Sequence, residues 1–384
     1  MSARLLVVTG AAGAAVLALC SLAALGGSPT RSASDGWAGW TGEVDTAAVS
    51  DKDAMTPDDA VAVRLLARSA QAAGSVGYSG RVTAEDSSGR VTTTLVHAPG
   101  RGTVTTVVSD SLREPVFAPD GRSGSFADEG RQLDLLRINY RVLRQADLDT
   151  SIAGRPAEAV VAVGSDGETA ARYWMDAETG LLLRKELVDA AGAVRVRSGF
   201  DELSLTFDVI AVAKAEKAQV ADAWGDELDA AGLRAARLAG CDCPDSLPGG
   251  LTLVETRRAP AGSVGAVPVV HQLFSDGLVS ASLFTLQGSL TDADTEGLRA
   301  RGFTLTDLDG LSAWVRGGKS SASSATVVWE CDDDVLTLVA DDALRPLAVA
   351  QAVLSALPPT RPTEDDSFLG RVARGWDRIT GGGS

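Results

Sequence analysis

Apolar and polar positions alternate in two different rhythms along this chain. The first rhythm is helical. Thr56-Pro57-Asp58-Asp59 opens it, with Thr56 able to cap, Pro57 suited to the first helical position and the two acids suited to a helix N-terminus. Val61, Leu65 and Leu66 then begin an apolar face, and Gly74 supplies a stop. After it the period changes to two. YSGRVTAE, GRVTTTLVHA and GTVTTVVSD are short, β-branched and separated by Gly, Ser and Asp. A helical piece around QLDLLRINYRVL interrupts them, and strands resume with AEAVVAVG, ARYWMDA, GLLLRKELVDA and AVRVRSGFDELSL. One helix followed by seven or so antiparallel strands predicts an α+β domain over 56–210, a strongly bent sheet wrapped round the helix.

The pattern changes again at 211–243, where Ala, Lys, Glu and Asp predominate and a helical linker is expected. Pro244 and Pro248-Gly249-Gly250 open a second α+β domain, 244–358. It carries the cleanest hairpin of the chain, VPVVHQLFSDGLVSASLFTL, with Asp276-Gly277 as a two-residue turn signal. A second pair of strands follows in LSAWVRGG and ATVVWECDDDVLTLVAD, and ALRPLAVAQAVLSALPP reads as a closing helix stopped by its prolines. The remainder, 359–384, is a linker and a tail. There Phe368, Leu369, Val372, Trp376 and Ile379 share one helical face, with Arg371, Arg374 and Arg378 elsewhere around it. Such a helix can lie on anionic lipid or dock in a partner's groove.

The N-terminus sets the expected compartment. Residues 5–27, LLVVTGAAGAAVLALCSLAALGG, form an apolar run behind the lone charge of Arg4. That is an export signal or a retained membrane anchor, since the run approaches the roughly 20 residues that span a bilayer. Either way the rest of the chain is expected outside the membrane. Cys20 is a weak lipidation candidate, because Leu19 stands where a small residue is needed. Residues 28–55 are rich in Ser, Gly, Asp and Thr and read as a tether.

Charge narrows the partners. The 384 residues hold 51 Asp+Glu against 35 Lys+Arg, a net charge of −16. A chain of that sign repels phosphate backbones, so nucleic acid is not an expected partner. Two histidines, His97 and His271, are sparse material for acid–base or metal chemistry. His97 is expected at the surface. Ser275 and Asp276 lie near His271, but a hairpin turn explains both residue types without catalysis. Asp332-Asp333-Asp334 reads as a solvated turn rather than a calcium loop. Tyr173 and Trp174 alternate across a strand, which can set one toward the cavity and the other toward solvent, with core packing the expected role. Cys241, Cys243 and Cys331 suit an oxidising compartment. Because neighbours one residue apart rarely bond, Cys331 is expected to pair with Cys241 or Cys243. Zinc is disfavoured, as no nearby histidine completes four ligands. No cofactor is expected.

Two stretches carry a family resemblance. AGRPAEAVVAVGSDGETAARYWMDAETGLLLRKELVDAAGAVRVRSGFDEL, preceded by a helix and SVGYSGRV, is similar to the first half of the RseB/MucB family of sigma-factor regulators. LPGG followed by VVHQLFSDGLVSASLF resembles that family's hairpin, whose turn, Ser275-Asp276-Gly277-Leu278 here, reads SDGL. The resemblance covers 56–208 and 244–357, and the Ala/Gly/Asp-rich bias of the chain, that of a high-GC actinobacterial genome, makes an actinobacterial-type member the expectation. The resemblance implies a first domain like LolA-type lipoprotein carriers, an unclosed β-barrel with an apolar cavity. It also implies contact with a membrane anti-sigma factor in envelope-stress signalling, gated by a lipid-like or lipoprotein ligand, and no enzymatic activity. A lipid or lipoprotein carrier of the LolA type is the competing expectation. The leader, the cysteines and the tail depart from the family pattern.

Overall fold

The computed structural model describes residues between 57 and 357, apart from 87–88, 109–115, 120–128, 219–226, 239–240, 242, 260–268, 309, 318–324, 332–333 and 341–345. The leader, the tether, Cys20, Asp332 and Asp333, and the tail with Phe368, Leu369, Val372, Trp376 and Ile379 lie outside those residues.

Helix α1 (Pro57–Ser75) leads into β1 (Tyr78–Asp86), β2 (Gly89–Ala98), β3 (Gly102–Val107) and β4 (Val116–Pro119). Helix α2 (Glu129–Asn139) follows, then β5 (Arg141–Arg144), β6 (Thr150–Ile152), β7 (Arg155–Val163), β8 (Thr169–Asp176), β9 (Leu182–Val188) and β10 (Val194–Ser204). These strands form one antiparallel sheet in the order β4-β3-β2-β1-β10-β9-β8-β7-β5, with β6 beside β7. β4 and β5 are its two ends, so the barrel is unclosed, as expected. The sheet has ten strands rather than seven or so. The surplus lies in short pieces, β4, β5 and β6, whose pattern is too brief to read as period two. The RVL of QLDLLRINYRVL is one of them: it is strand β5, not helix.

Helix α1 fills the bend. Ala62, Leu66, Ser69 and Ala73 recur on one helical face and are all buried. Ala62 and Leu66 pack into a core with Val82, Leu95, Val160, Leu183 and Phe200 from the sheet. Arg155 and Asp176 form an ion pair near the far end of β7 and β8. Burial raises the Asp176 carboxyl, but Arg155 and the Thr179 amide and hydroxyl outweigh it and hold the group below its usual range.

Helices α3 (Val209–Ala218) and α4 (Ala230–Leu238) occupy the expected linker. α3 is no bare spacer. Its Val212 is fully buried against Ala98 and Val104 of the first sheet.

The second sheet is antiparallel and open, in the order β11-β12-β13-β14-β18-β17-β16-β15. Its strands are β11 (Ser246–Leu247), β12 (Leu251–Ala259), β13 (Val269–Ser275), β14 (Ser280–Gln287), β15 (Thr304–Leu308), β16 (Leu311–Gly317), β17 (Ala325–Cys331) and β18 (Asp334–Ala340). Helix α6 (Pro346–Ala356) seats Ala350, Val353 and Leu354 on one apolar cluster with Phe274, Leu283 and Trp329. The Trp329 indole N–H donates to the Leu357 carbonyl at 2.9 Å. Helix α5 (Asp292–Ala300) starts at a capping box made by Thr291 and Asp294. It buries Leu298 against Phe303, Trp314 and Val328 in a separate cluster.

His97 corrects a surface expectation. It is buried, its Nδ1 lies 3.0 Å from the Thr103 hydroxyl, and its ring stacks on Tyr78 at 5.1 Å. His271 is buried too, stacked on Phe284 at 4.5 Å.

Candidate functional site: the Ser275–Leu278 turn between the two sheets

Strands β13 and β14 pair through Ser275 and Ser280, so the turn runs Asp276–Val279 rather than through two residues. Two side chains stabilise the longer form. The Asp276 Oδ1 accepts the amides of Leu278 at 2.8 Å and Val279 at 2.9 Å. The Ser275 Oγ accepts the Gly277 amide at 2.9 Å and donates to the Val279 carbonyl at 2.8 Å. The ordinary turn chemistry of Ser, Asp and Gly is therefore all used internally.

The turn is not at the surface. Ser275, Asp276 and Leu278 are all buried, and Leu278 belongs to the apolar core of the first domain, not the second. Val279 packs on both cores. Gly277 has φ +94°, and a Cβ there would stand 2.2 Å from the Leu136 amide nitrogen. Glycine is needed twice over, for the left-handed conformation and for direct approach to the backbone of α2.

The first domain supplies the receptor. The Tyr140 hydroxyl donates to the Asp276 Oδ2 at 2.7 Å, and the Asn139 side-chain amide donates to the Asp276 carbonyl at 2.9 Å. Asn139 is itself held by the Leu135 carbonyl at 3.0 Å. From the other side the Lys185 ammonium reaches the Leu278 carbonyl at 3.4 Å and lies 5.9 Å from the centre of the Tyr173 ring. Leu135 packs with Val254 and Leu273 of the second sheet. Burial, joined by the Asp276 charge, pushes the Tyr173 phenol above its ordinary value.

Tyr173 and Trp174 both pack in the core, and neither faces solvent. Trp174 donates its indole N–H to the Leu148 carbonyl at 3.0 Å, and the residue with the opposite orientation is covered by neighbouring structure instead of solvent. Asn139, Tyr140 and Lys185 carry no local signal of this role. The available signal is on the turn itself: Leu278 and Val279 are too apolar for a solvated hairpin tip.

The cysteines form a different arrangement from the expected one. Cys241 is bonded to Cys243, and Cys331 stays outside that bond, buried at the end of β17. A chain bend brings the paired Cα atoms to 5.3 Å, inside the range a disulfide can bridge. The expectation erred by treating the intervening residue as a bar to such a bend. Among the described residues no three His, Cys, Asp or Glu side chains gather where they could hold a metal ion, and no helix is long and apolar enough to cross a membrane.

The described residues thus form an α+β fold of two antiparallel sheets, with the Ser275–Leu278 turn of the second held by polar groups of the first. Residues 101–221 match the model of the MucB/RseB N-terminal domain. Over that stretch, about a third of the chain, the protein is similar to the RseB/MucB family. The matched stretch contains Asn139, Tyr140, Tyr173 and Lys185, the receptor half of the interface. No curated protein matches the chain. Among solved structures, MucB is 21% identical, with a TM-score of 0.47, covering 77% of this chain and 97% of that one. The MucA/MucB complex of Pseudomonas aeruginosa gives 23% identity and a TM-score of 0.46 over 76% and 96%. A putative outer membrane lipoprotein-sorting protein domain from Vibrio parahaemolyticus gives 9% and 0.19 over 41% and 97%.

Proposed function

We propose that this chain is an extracytoplasmic regulatory binding protein that acts by contact with a membrane anti-sigma factor, without catalysis. The observation that carries the reading is the family match over 101–221, which takes in the receptor half of the interdomain interface. MucB has been solved in complex with MucA(peri), which indicates the kind of partner. The apolar run at 5–27 supports export, with the partner met at the outer face of the membrane. The tail residues from Phe368 to Ile379 supply a second contact with that membrane or with the partner.

In this reading a lipid-like ligand gates the contact. Leu278 supports it, because a turn residue of one domain shares the apolar interior of the other. A ligand entering that interior competes with Leu278 for space and so alters how the domains are joined.

Deleting the gene and measuring transcription from promoters of extracytoplasmic sigma factors tests the regulatory reading. Derepression of one such promoter set in the absence of envelope stress is expected. Unchanged transcription, with accumulation of mislocalised lipid or lipoprotein instead, points to a carrier and overturns it.

A further inference from the structure

The bond between Cys241 and Cys243 closes a ring over a sequence separation of 2. In the chain-entropy account a cross-link stabilises by restricting the unfolded chain, and the effect shrinks with the loop it closes. A loop this short is the weakest staple available. Nor does the bond join two elements of the fold: both cysteines lie between α4 and β11.

The backbone holds the pair together without the sulfur bridge. The Cys243 amide donates to the Cys241 carbonyl at 2.9 Å, and the Cys241 amide donates to the Ala236 carbonyl at 3.1 Å. The Arg237 Nε donates to the Cys243 carbonyl at 2.7 Å, while its Nη2 pairs with Asp245 at 2.5 Å. Pro244 is held in turn through its carbonyl by the Gln272 side-chain amide at 2.9 Å. Two thiols in this bend stay neighbours when reduced, so re-forming the bond is an intramolecular step at high effective concentration. The two sulfurs differ in access. Cys243 is buried and Cys241 is partly exposed.

From this geometry we propose that Cys241–Cys243 is a redox-active pair that exchanges its disulfide with thiols outside the chain. An incoming thiolate attacks the Cys241 Sγ. The Cys241–Cys243 bond breaks, a mixed disulfide forms at Cys241, and Cys243 leaves as the thiolate. A second thiolate from the same source attacks the incoming group's sulfur, which becomes a disulfide, and Cys241 leaves as a thiolate. Two electrons pass from the external thiols to the pair. Exposed, weakly stabilising disulfides are the exchangeable ones. The chemistry is that of a thiol, and its source is either a small thiol or a protein dithiol.

The test uses the full chain in detergent with Cys20→Ser, so that only three cysteines report. The chain is equilibrated with millimolar reduced and oxidised glutathione, without denaturant, then alkylated and analysed by mass spectrometry. Half or more of the Cys241–Cys243 pairs are expected to open while the thermal midpoint stays within about 2 °C. In Cys243→Ser the glutathione adduct is expected on Cys241, and in Cys241→Ser the yield on Cys243 falls at least tenfold. A parallel arm with a reduced peptide carrying two cysteines separates the sources: oxidation of the peptide marks a protein dithiol, and reaction with glutathione alone marks a small thiol. A bond that opens only as the chain unfolds, or a midpoint that drops by about 8 °C or more on reduction, makes the pair a structural staple and overturns the proposal.

Discussion

The Tyr140 hydroxyl donates a 2.7 Å hydrogen bond to the Asp276 carboxylate across 136 residues of sequence. Both groups sit where the first domain meets the turn of the second, and Asp276 is buried. A buried carboxylate left without such a donor is costly, so this bond does more than decorate the contact.

Tyr140→Phe removes the hydroxyl and keeps the ring. The expected loss is about 1.5–3 kcal/mol, the range for a hydrogen bond to a charged group. Denaturant unfolding measures it. Asp276→Asn, which also disturbs the turn's own amide bonds, is expected to cost at least as much, and the double variant less than the sum because the two side chains share one interaction.

Gly277→Ala is expected to be the more severe change. It places a Cβ against the Leu136 backbone and imposes strain at φ +94°. The clash is with backbone atoms, so something must shift, and parting of the domains at this contact is the expected outcome. Limited proteolysis of the folded chain is expected to accelerate at least tenfold within 211–243, with each sheet's own protected fragment retained.

Leu278→Ala tests the apolar half of the same contact. Truncating a buried leucine costs about 2–5 kcal/mol where the surroundings cannot collapse. Because Leu278 belongs to the first domain's core, its loss is expected to lower the stability of that domain although the residue lies in the second. Hydrogen exchange resolved by segment reads this directly: amides of β8 and β9 should lose protection alongside those of β13.

His271 sets a pH dependence. Burial, with the Arg257 guanidinium adding to it, lowers its pKa from 6.5 to about 4. The folded state therefore holds the ring neutral while the unfolded chain takes up the proton first. The contribution is fully present above about pH 6.5, is lost as pH falls from there, and levels off below about pH 4. At most about 3 kcal/mol is at stake. In urea titrations at pH 7 and pH 4.5, wild type is expected to lose this stability and His271→Leu to lose less, the difference isolating this one group.

Cys331→Ala separates the observed cysteine arrangement from the expected one. A bond from Cys331 to Cys241 or Cys243 would have been worth about 4 kcal/mol, most of it lost on substitution. With Cys331 buried outside the Cys241–Cys243 bond, the expected cost is that of a small truncation at a buried site, about 1 kcal/mol. Equilibrium unfolding of the two chains side by side distinguishes these values.

Much of this architecture was legible because its signals are local. Pro57 and the acids beside it mark α1, the alternation in Val82 and Leu95 marks core strands, and Pro346 through Ala356 marks the closing helix. Short strands such as β5 and β6 were not legible, since three or four residues cannot show a period. The role of the SDGL turn was only half legible. Ser275, Asp276 and Gly277 satisfy turn chemistry by themselves, which hides that Gly277 is also required by the α2 backbone. Tyr140 and Lys185 meet that turn from 136 and 93 residues away, a relation that no local pattern encodes. His97 was misjudged for the same reason: Tyr78, the ring that covers it, lies on the neighbouring strand.

The most direct test of the central claim is affinity capture from detergent-solubilised membranes with the full chain, compared with Leu278→Ala, and mass spectrometry of bound proteins and lipids. Wild type is expected to recover a single-span protein whose cytosolic part binds a sigma factor, and Leu278→Ala at least fivefold less of it. Recovery of lipid or lipoprotein alone, by either chain, would contradict the claim and make the chain a carrier.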